Sequence, residues 1–385
     1  MISRRRMLTA AAPLLGLGLL GCAPTGSTPA TGQAGPAGST NETDKPVKLN
    51  PDRIFNAEWE THQKTFMSWP NRQIWGKDLA YVRDDIAKVA RAITQFEEVV
   101  MLASPGEEAE ARYQCGSGVT VLTLGVDDLW SRDTVPVFVN GAGGLRGVDF
   151  NFNGWGNKQQ HGNDGGVAKA LLAALGMPRI QTPIVAEAGS LETDGQGTLL
   201  VTKSSMLNDN RNPGMSLEQL DAGLKDLLGV SKVIWFDGVY GQDITDAHVD
   251  SLARFTAPGK VLLDVPGEGA PVDDWSRSSE QARSLLQDSR DANGRAFEII
   301  DLPQPDFSKI RGQDDDFLAS YVNFYVANGA VLLPQFGDKK ADQRAQGILQ
   351  DHFPGRKVIA LDIDTIASGG GGIHCATHDL PVVAV

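Results

Sequence analysis

The sequence predicts an α/β fold in which antiparallel hairpins are mixed with crossover connections. Two observations predict it. Short runs rich in β-branched and apolar residues alternate along the chain with segments that carry apolar residues at helical spacing. In addition, the pair Asp194-Gly195 stands between two strand-like segments, which is a strong hairpin signal. Because no sequence repeat and no linker interrupt residues 49–385, we expect a single domain there.

The individual elements follow from local composition. Strands are predicted where Val, Leu and Ile cluster, at residues 99–103, 119–124, 135–139, 198–202, 232–236, 260–265, 330–334 and 357–361. Helices are predicted from the apolar spacing at residues 81–95, 167–175, 216–228, 281–291 and 342–352. Ser216 is expected to cap the third of these helices.

Residues 1–21 are predicted to be a twin-arginine lipoprotein signal peptide. Arginines at positions 4–6 precede an apolar run at residues 10–20, which is the pattern of an export signal. Leu-Leu-Gly before Cys22 resembles the bacterial lipobox and implies that Cys22 is lipidated. An ordinary secretory signal with a chance cysteine is the alternative. We therefore expect an exported protein in the periplasm or cell envelope, attached to a membrane through an N-terminal lipid.

Residues 22–48 consist mainly of Ala, Pro, Thr, Gly and Ser and predict a flexible tether. The whole chain carries a formal net charge of −13 and shows no basic patch of the kind that nucleic acids require. We therefore expect no nucleic-acid partner. An acidic protein favours cationic small molecules instead.

The most informative segment is residues 369–378, in which four glycines lead to Cys375 and histidines stand on both sides of it. Glycines allow the close approach of a ligand. The neighbouring His374 and His378 are expected to lower the pKa of the thiol and so to activate it as a nucleophile. Zinc binding by these three side chains is an alternative, although the sequence offers no second pair of ligands.

Three further clusters carry acids and one histidine. Asp133 lies on a loop between two predicted strands, and Glu187 precedes the predicted hairpin. His248 and Asp250 are two residues apart and would face the same side of an extended strand. Together with Cys375 they would form a pocket of three acids, one imidazole and one thiol.

Such a pocket suits a guanidinium group. Three carboxylates cannot all remain ionised in a small cavity without a cation, and a guanidinium is planar, permanently charged and rich in N–H donors. The thiolate would attack its central carbon, and the histidine would protonate the departing nitrogen and later activate water. The sequence alone leaves other roles open. Asp133 could cap a turn, Glu187 could pair with a basic residue, and His248 could be a buried structural histidine, while Asn323 and Cys115 are expected to be structural.

The chain resembles the agmatine deiminase and bacterial (Porphyromonas-type) peptidylarginine deiminase family, part of the guanidine-modifying pentein superfamily. The resemblance is carried by motifs in family order at residues 57–70, 128–134, 152–156, 187–190, 207–214, 245–250, 320–328, 331–338 and 370–375. It implies a five-bladed, pseudo-symmetric α/β propeller built from ββαβ-type units. It implies neither a metal nor an organic cofactor.

The resemblance also implies roles for individual residues. Cys375 would be the nucleophile and His248 the general acid and base, with Asp133 and Asp250 holding the guanidinium. The expected substrate contacts are Glu187, Trp130, Asp246 and Gly372.

The reaction implied by the resemblance converts agmatine and water to N-carbamoylputrescine and ammonia. An acid commonly occupies the position of Ile244 in agmatine-specific members, so a peptidyl or free arginine is an alternative substrate. Alternatives of another class are a cysteine amidase and a non-catalytic guanidine-binding lipoprotein. The expected partner is a small cationic guanidine, and a homo-oligomer is left open.

Overall fold

The computed structural model describes residues 53–312 and 316–383. The predicted signal peptide, Cys22 and the predicted tether lie outside the described residues. Among the helices of the described part, none has both the length and the hydrophobicity that crossing a bilayer requires.

The described residues contain sixteen strands and eleven α-helices. The strands are β1 (His62–Ser68), β2 (Glu98–Ala103), β3 (Val119–Thr123), β4 (Val137–Val139), β5 (Arg146–Asp149), β6 (Arg179–Gln181), β7 (Glu192–Thr193), β8 (Thr198–Thr202), β9 (Lys232–Phe236), β10 (Ala253–Ala257), β11 (Lys260–Val265), β12 (Glu298–Pro303), β13 (Tyr325–Ala327), β14 (Ala330–Gln335), β15 (Lys357–Asp362) and β16 (His378–Pro381). The helices are α1 (Arg72–Trp75), α2 (Leu79–Ile93), α3 (Glu108–Cys115), α4 (Ser131–Thr134), α5 (Gly154–Asn157), α6 (Asp164–Leu175), α7 (Lys203–Met206), α8 (Leu217–Leu228), α9 (Asp274–Asp288), α10 (Lys339–His352) and α11 (Asp364–Ser368).

The strands form five sheets, which we call blades 1 to 5. Blades 2 to 5 consist of β4–β6, β7–β9, β10–β12 and β13–β15, and blade 1 consists of β1–β3 together with β16. In each blade an outer strand pairs antiparallel with its neighbour, and the chain then crosses through a helix to a strand that pairs parallel with that neighbour. The described residues thus form the five-bladed, pseudo-symmetric α/β propeller of ββαβ units that the resemblance implies.

The local predictions agree well with these elements. All eight predicted strands are confirmed, as β2, β3, β4, β8, β9, β11, β14 and β15. The hairpin at Asp194-Gly195 is confirmed too, because β7 and β8 pair antiparallel across it and Gly195 adopts the positive φ of 67° that a tight turn needs.

The five crossover helices of the blades are α2, α6, α8, α9 and α10, and each overlaps a predicted helix. Ser216 caps α8 as expected, in a capping box with Gln219. Helix α9 differs from the prediction because it begins at Asp274 instead of residue 281. The Asp273 side chain accepts a hydrogen bond from the Ser276 N–H and starts the helix earlier.

Blade 1 joins the two ends of the described chain, because its strand β16 pairs with β1. A buried histidine lies at this junction. His62 on β1 lies 3.2 Å from Glu97 through Nδ1 and 3.8 Å from Asp379 of β16 through Nε2. Burial by itself would lower the pKa of His62, but Asp379, Glu97 and Glu58 together raise it to about 9. The protonated histidine therefore stabilises the closure of the ring.

We expect His62→Gln to lower the free energy of unfolding by on the order of 3 kcal/mol at pH 6. The pKa of His62 is about 9 in the folded state and near 6.5 when unfolded. Its stabilisation is therefore complete below about pH 6.5 and is lost as the pH rises through about 9. Urea unfolding at pH 6 and pH 9.5 would measure the difference. The control is His352→Gln at the end of α10, and equal losses for His62→Gln at both pH values would contradict this role.

Candidate active site

The candidate site is assembled from equivalent positions of the five blades. In each blade, the segment that comes directly before the outer, antiparallel strand contributes to it. These contributions are Asp133 before β4, Glu187 before β7, His248 and Asp250 before β10, Asn323 before β13 and Cys375 before β16. The fold therefore brings together side chains that lie far apart in the sequence.

Gly189 marks the point on which several of these side chains converge. A Cβ atom added to this residue would lie 2.5 Å from His248 Nδ1, 2.9 Å from Asp133 Oδ1 and 3.1 Å from Asp250 Oδ2. The Sγ atom of Cys375 lies 3.6 Å from the same Asp250 oxygen. The structure thus brings the predicted nucleophile, histidine and two aspartates around one small volume. Glycine at position 189 keeps that volume free of a side chain.

His248 is held between carboxylates. Its Nε2 lies 3.2 Å from Glu187 Oε2, and its Nδ1 lies 3.9 Å from Asp133 Oδ1. Burial by itself would lower the pKa of His248, but Asp133, Glu187 and Asp250 raise it to about 9. The imidazole is therefore a cation at neutral pH and can donate a proton.

Glu187 is fully buried and bound on both oxygens. The Nε–H of Arg211 donates to Oε1 at 2.7 Å, and His248 contacts Oε2. Burial opposes ionisation, but Arg211 and His248 hold the pKa of Glu187 below its usual value. The carboxylate thus pairs with a basic residue, which was one of the roles that the sequence left open for Glu187, and it also orients His248.

Asp133 has an unusual protonation equilibrium. Its Oδ2 accepts the indole N–H of Trp155 at 2.9 Å, and its Oδ1 accepts the Gly189 N–H at 3.1 Å. Burial raises the pKa of Asp133 to about 6 with the help of Glu187 and Asp250, although His248 acts in the opposite direction. The group is poised to be ionised at neutral pH and to gain from a nearby cation.

Asp250 has one free oxygen. Its Oδ2 lies 2.7 Å from His374 Nδ1, whereas its buried Oδ1 has no hydrogen-bond partner among the described residues. Burial opposes ionisation, but His374, His248 and Arg254 lower the pKa of Asp250. An ionised oxygen without a partner is costly unless a ligand supplies a donor.

Behind Asp250 lies a chain of buried charges. His374 Nε2 contacts Glu58 at 2.9 Å, and Glu58 also pairs with Arg132 at 2.7 Å and with Arg254 at 2.8 Å. Burial opposes ionisation, but Arg254, His374 and Arg132 hold the pKa of Glu58 well below its usual value. Through His374, these buried ion pairs fix the position of the Asp250 carboxylate.

Cys375 differs from its sequence-based expectation. Burial, Asp250 and Asp133 raise the pKa of the thiol well above its usual value. His374 faces Asp250 and Glu58, and the Nδ1 of His378 faces the Arg132 carbonyl at 3.1 Å. The prediction that the two neighbouring histidines lower the thiol pKa is therefore wrong. Because His374 and His378 bind different partners, this arrangement also argues against a zinc site that the two histidines would form with Cys375.

The glycine loop brings two expected substrate contacts close to the thiol. A Cβ at Gly371 would overlap the ring of Trp130, and one at Gly372 would overlap the side-chain oxygen of Asn323. Trp130 in turn lies beside Trp75, with ring centroids 6.5 Å apart. Both glycines are needed because a tryptophan and an asparagine pack directly on the backbone.

Asp246 lies in a different environment from the one expected for a substrate contact. Its Oδ2 pairs with Lys158 at 2.6 Å and with Arg211 at 3.0 Å, and its Oδ1 accepts the Gly241 N–H. Arg211 pairs with both Asp246 and Glu187, so Asp246 contacts the site only through Arg211. Asp246 also has a positive φ of 60°, followed by 63° at Ala247. Its ion pairs hold this strained turn, which delivers His248 to the site.

His248 and Asp250 do not lie on a strand, which corrects the prediction made from their spacing. His248 is extended, and residues Val249–Ser251 form a 3₁₀ turn before β10. The turn lets both side chains reach the site although they do not share the face of a strand.

Sequence reasoning missed several residues that shape the site. Arg211 and Glu58 belong to the motifs of the resemblance, but no role followed from them. Asn323 was expected to be structural, yet its Nδ2 lies 3.2 Å from Cys375 Sγ. The only available signal was its place in the motif at residues 320–328.

Comparison with known proteins agrees with this geometry. A profile of the Porphyromonas-type peptidyl-arginine deiminase family matches residues 54–381. Agmatine deiminase of Medicago truncatula is 37% identical over 360 residues, covering 85% of this chain and 96% of the plant protein. Agmatine deiminase of Stutzerimonas stutzeri is 37% identical over 350 residues, covering 84% of this chain and 94% of the relative.

A solved structure shows the same fold. Agmatine deiminase of Enterococcus faecalis superimposes with a TM-score of 0.79 at 31% identity. The match covers 86% of this chain and 96% of the other. The matches therefore cover nearly the full length of each of these three proteins, and in this chain they fall on the propeller.

We expect Gly189→Ala to lower kcat/KM at least about 100-fold and to lower the free energy of unfolding by about 1–3 kcal/mol through overpacking. The added methyl group would fall between His248, Asp133 and Asp250, while the backbone at Gly189 is not left-handed and accepts alanine. The matched control is Gly347→Ala on the exposed side of α10, where no atom lies within 4 Å of the new Cβ. Steady-state kinetics and thermal unfolding of both variants would test it, and normal activity of Gly189→Ala would contradict the convergence.

Proposed function

The chain belongs to the Porphyromonas-type peptidyl-arginine deiminase family, and from this premise we propose that it is a guanidine deiminase. The substrate that we propose is agmatine, which is hydrolysed to N-carbamoylputrescine and ammonia through a covalent intermediate on Cys375. Agmatine deiminase is the name of relatives at 37% identity and of a solved structure at 31% identity. The enzyme would thus be a hydrolase of carbon–nitrogen bonds in linear amidines.

The observation that carries this proposal is the buried Oδ1 atom of Asp250, which has no partner among the described residues, on a carboxylate whose Oδ2 lies 3.6 Å from the Cys375 thiol. A buried, ionised oxygen without a partner needs a donor. In addition, Asp133 Oδ1 and Asp250 Oδ2 both border the small volume next to Gly189. A guanidinium satisfies both acids at once through the N–H groups on its edges. Its central carbon would then face the sulfur of Cys375.

The first half of the reaction needs a thiolate and an acid. In the empty site the raised pKa keeps Cys375 protonated, and His248 is a cation. The positive charge of the bound guanidinium lowers the thiol pKa, and the thiol proton passes to solvent. The thiolate then forms a C–S bond with the central carbon. His248 gives its proton to one terminal nitrogen, the C–N bond breaks, and ammonia leaves.

The second half of the reaction hydrolyses the amidino group on sulfur. The neutral imidazole of His248 takes a proton from water, and the hydroxide attacks the carbon bound to Cys375. The C–S bond breaks as the carbonyl forms, and the hydroxyl proton returns to sulfur. A ureido product leaves, and the site again holds a neutral thiol and a protonated histidine.

A second substrate is favoured by the environment of Ile244. This side chain is partly buried and packs against the apolar cluster that includes Trp130. Ile244 offers no charge to the far amine of agmatine. The alternative substrate is therefore the arginine of a peptide, because a peptide backbone carries no amine at that place. The description of the family as peptidyl-arginine deiminases supports the same alternative.

We also propose that the protein is exported and lipid-anchored, with residues 1–21 as a twin-arginine signal and residues 22–48 as a tether to the envelope. Support comes from the arginines at positions 4–6, the apolar run after them and the Leu-Leu-Gly-Cys22 sequence. The substrate would then be a guanidine outside the cytoplasm.

A panel of guanidines tests the proposed reaction. We expect ureido product and equimolar ammonia from agmatine, with kcat/KM at least about tenfold above that for free arginine and for an arginine-containing peptide. Higher activity on the peptide would replace the substrate but keep the chemistry. The control is Cys375→Ser, which should lose turnover while its thermal unfolding stays normal. Release of ammonia from simple amides but from no guanidine would overturn the function.

We expect kcat/KM to rise about tenfold per pH unit between about pH 6 and pH 9 and to level off near pH 9. The reactive form has a thiolate on Cys375 and a protonated His248. Below the pKa of His248, which is about 9, the free enzyme has a neutral thiol and a protonated His248, so the reactive form holds one proton fewer. Above that pH the free enzyme has already lost one proton, and the dependence disappears. Below about pH 6 the fall should steepen, because Asp133 becomes protonated as well.

Initial rates at low agmatine concentration across this range would measure the profile. Agmatine keeps its guanidinium charge throughout the range, so the slope reports the enzyme. A profile that is flat from pH 7 to pH 8.5 would show that the free enzyme already holds a thiolate and would contradict the charge balance of this site.

A further inference from the structure

We propose that Asn323 is a catalytic residue that holds the sulfur of Cys375 as a thiolate and fixes the direction of its attack. The proposal rests on the proposed function of the site, because it concerns the same nucleophile. It assigns a chemical task to blade 5, which otherwise contributes no reactive group to the site.

Three atoms of Asn323 form hydrogen bonds with Cys375 or with the residue before it. Its Nδ2–H donates to Cys375 Sγ at 3.2 Å, and its Oδ1 accepts the Cys375 N–H at 3.3 Å. Its backbone carbonyl accepts the His374 N–H at 3.2 Å. The residue is completely buried, so these contacts do not compete with solvent. One amide therefore grips both the backbone and the sulfur of the nucleophile.

The place of Asn323 in the propeller supports a role in chemistry. Asp133, Glu187, His248 with Asp250, and Cys375 each come from the segment before the outer, antiparallel strand of their blade. Asn323 occupies the same place in blade 5, two residues before β13 begins at Tyr325. The five segments surround one site, and Asn323 is the side chain through which the fifth segment reaches the reacting sulfur.

The charges around the sulfur explain why an amide is suited to this place. Asp250 and Asp133 both disfavour a thiolate, and the groups that favour it are the Gly372 N–H and the Asn323 side chain. A lysine or arginine at this position would stabilise the thiolate more, but it would repel a cationic substrate and pair with Asp250. A neutral N–H donor stabilises the sulfur anion and leaves the negative charge of the acids for the guanidinium.

The packing of the glycine loop keeps the amide in place. A Cβ at Gly372 would overlap Asn323 Oδ1, so glycine at this position lets the amide approach the loop. The Nδ2 also lies 3.4 Å from the Asp250 carbonyl, which helps to aim this group at the sulfur. The donor is thus preorganised before the substrate arrives.

The experiment compares Asn323→Ala and Asn323→Asp with Asn328→Ala as the matched control. Asn328 follows β13 in the same blade, and its Oδ1 and Nδ2 atoms bind the backbone of His62. The Asn328→Ala substitution therefore removes a similar pair of hydrogen bonds at a place distant from the thiol. Three quantities are measured: the rate of Cys375 alkylation by iodoacetamide against pH, kcat and KM for agmatine, and thermal unfolding. Mass spectrometry of the peptide that contains Cys375 separates this thiol from Cys115.

We expect Asn323→Ala to slow alkylation of Cys375 about tenfold at each pH, since alkylation follows the thiolate fraction. Its kcat should fall about 10- to 100-fold, the loss typical of a hydrogen bond to a charged group, while KM changes by less than about threefold. Asn323→Asp keeps an acceptor for the Cys375 N–H but places a carboxylate beside the sulfur. It should therefore be at least as impaired as Asn323→Ala. Asn328→Ala should lose stability only.

A residue that merely supports the loop would give a different result. In that case Asn323→Asp would retain nearly normal kcat, or Asn323→Ala would alkylate at the wild-type rate, and either result overturns the proposal. Alkylation does not require turnover. If the wild-type enzyme deiminated no guanidine, the proposed function would fail while the effect of Asn323 on the thiol would still be measured.

Discussion

Three buried carboxylates placed around one imidazole constrain everything else in this site. Burying an ionised acid is costly unless a cation or several donors compensate it. Arg211 compensates Glu187, and His374 compensates part of Asp250. Asp133 has two N–H donors and shares the His248 cation with Glu187, and its pKa rises to about 6. The site is therefore electrostatically complete only when a further cation enters. The same imbalance that would select a guanidinium also keeps the thiol protonated until one binds.

The propeller supplies this arrangement by repeating one geometry with different side chains. In each blade the segment before the outer, antiparallel strand reaches the candidate site, and each of these segments carries a different group there: an acid, a second acid, a histidine with an aspartate, an amide and a thiol. Because the segments are anchored to strands on both sides, their side chains are positioned by the sheets and not by flexible loops. The buried chain from Asp250 through His374 to Glu58 extends this support behind the site. The closure of blade 1 by β16 matters for the same reason, since Cys375 directly precedes that strand.

A thiol whose charge depends on the substrate also has a chemical advantage. Oxidation and unspecific alkylation require a thiolate, so a thiol with a raised pKa is protected while the site is empty. That property suits the exported location that we propose. Cys115 is protected in a different way, because burial alone raises the pKa of its thiol to about 12 and no catalytic group lies beside it.

The sequence by itself determined the longer strands and the crossover helices, because these depend on local patterns of apolar residues. It also pointed to the candidate reactive groups through the recognisable motifs around Asp133, His248 and Cys375. Strands such as β6 and β13 escaped prediction because they are only three residues long and exist through pairing with their neighbours. Only the tertiary structure decided the partners: that Asp246 supports a turn, that His374 faces Asp250, and that Asn323 reaches the sulfur. These contacts join residues that are 35 to 124 positions apart in the sequence. The pKa values follow from burial and from the charges so assembled, neither of which is a property of a local sequence.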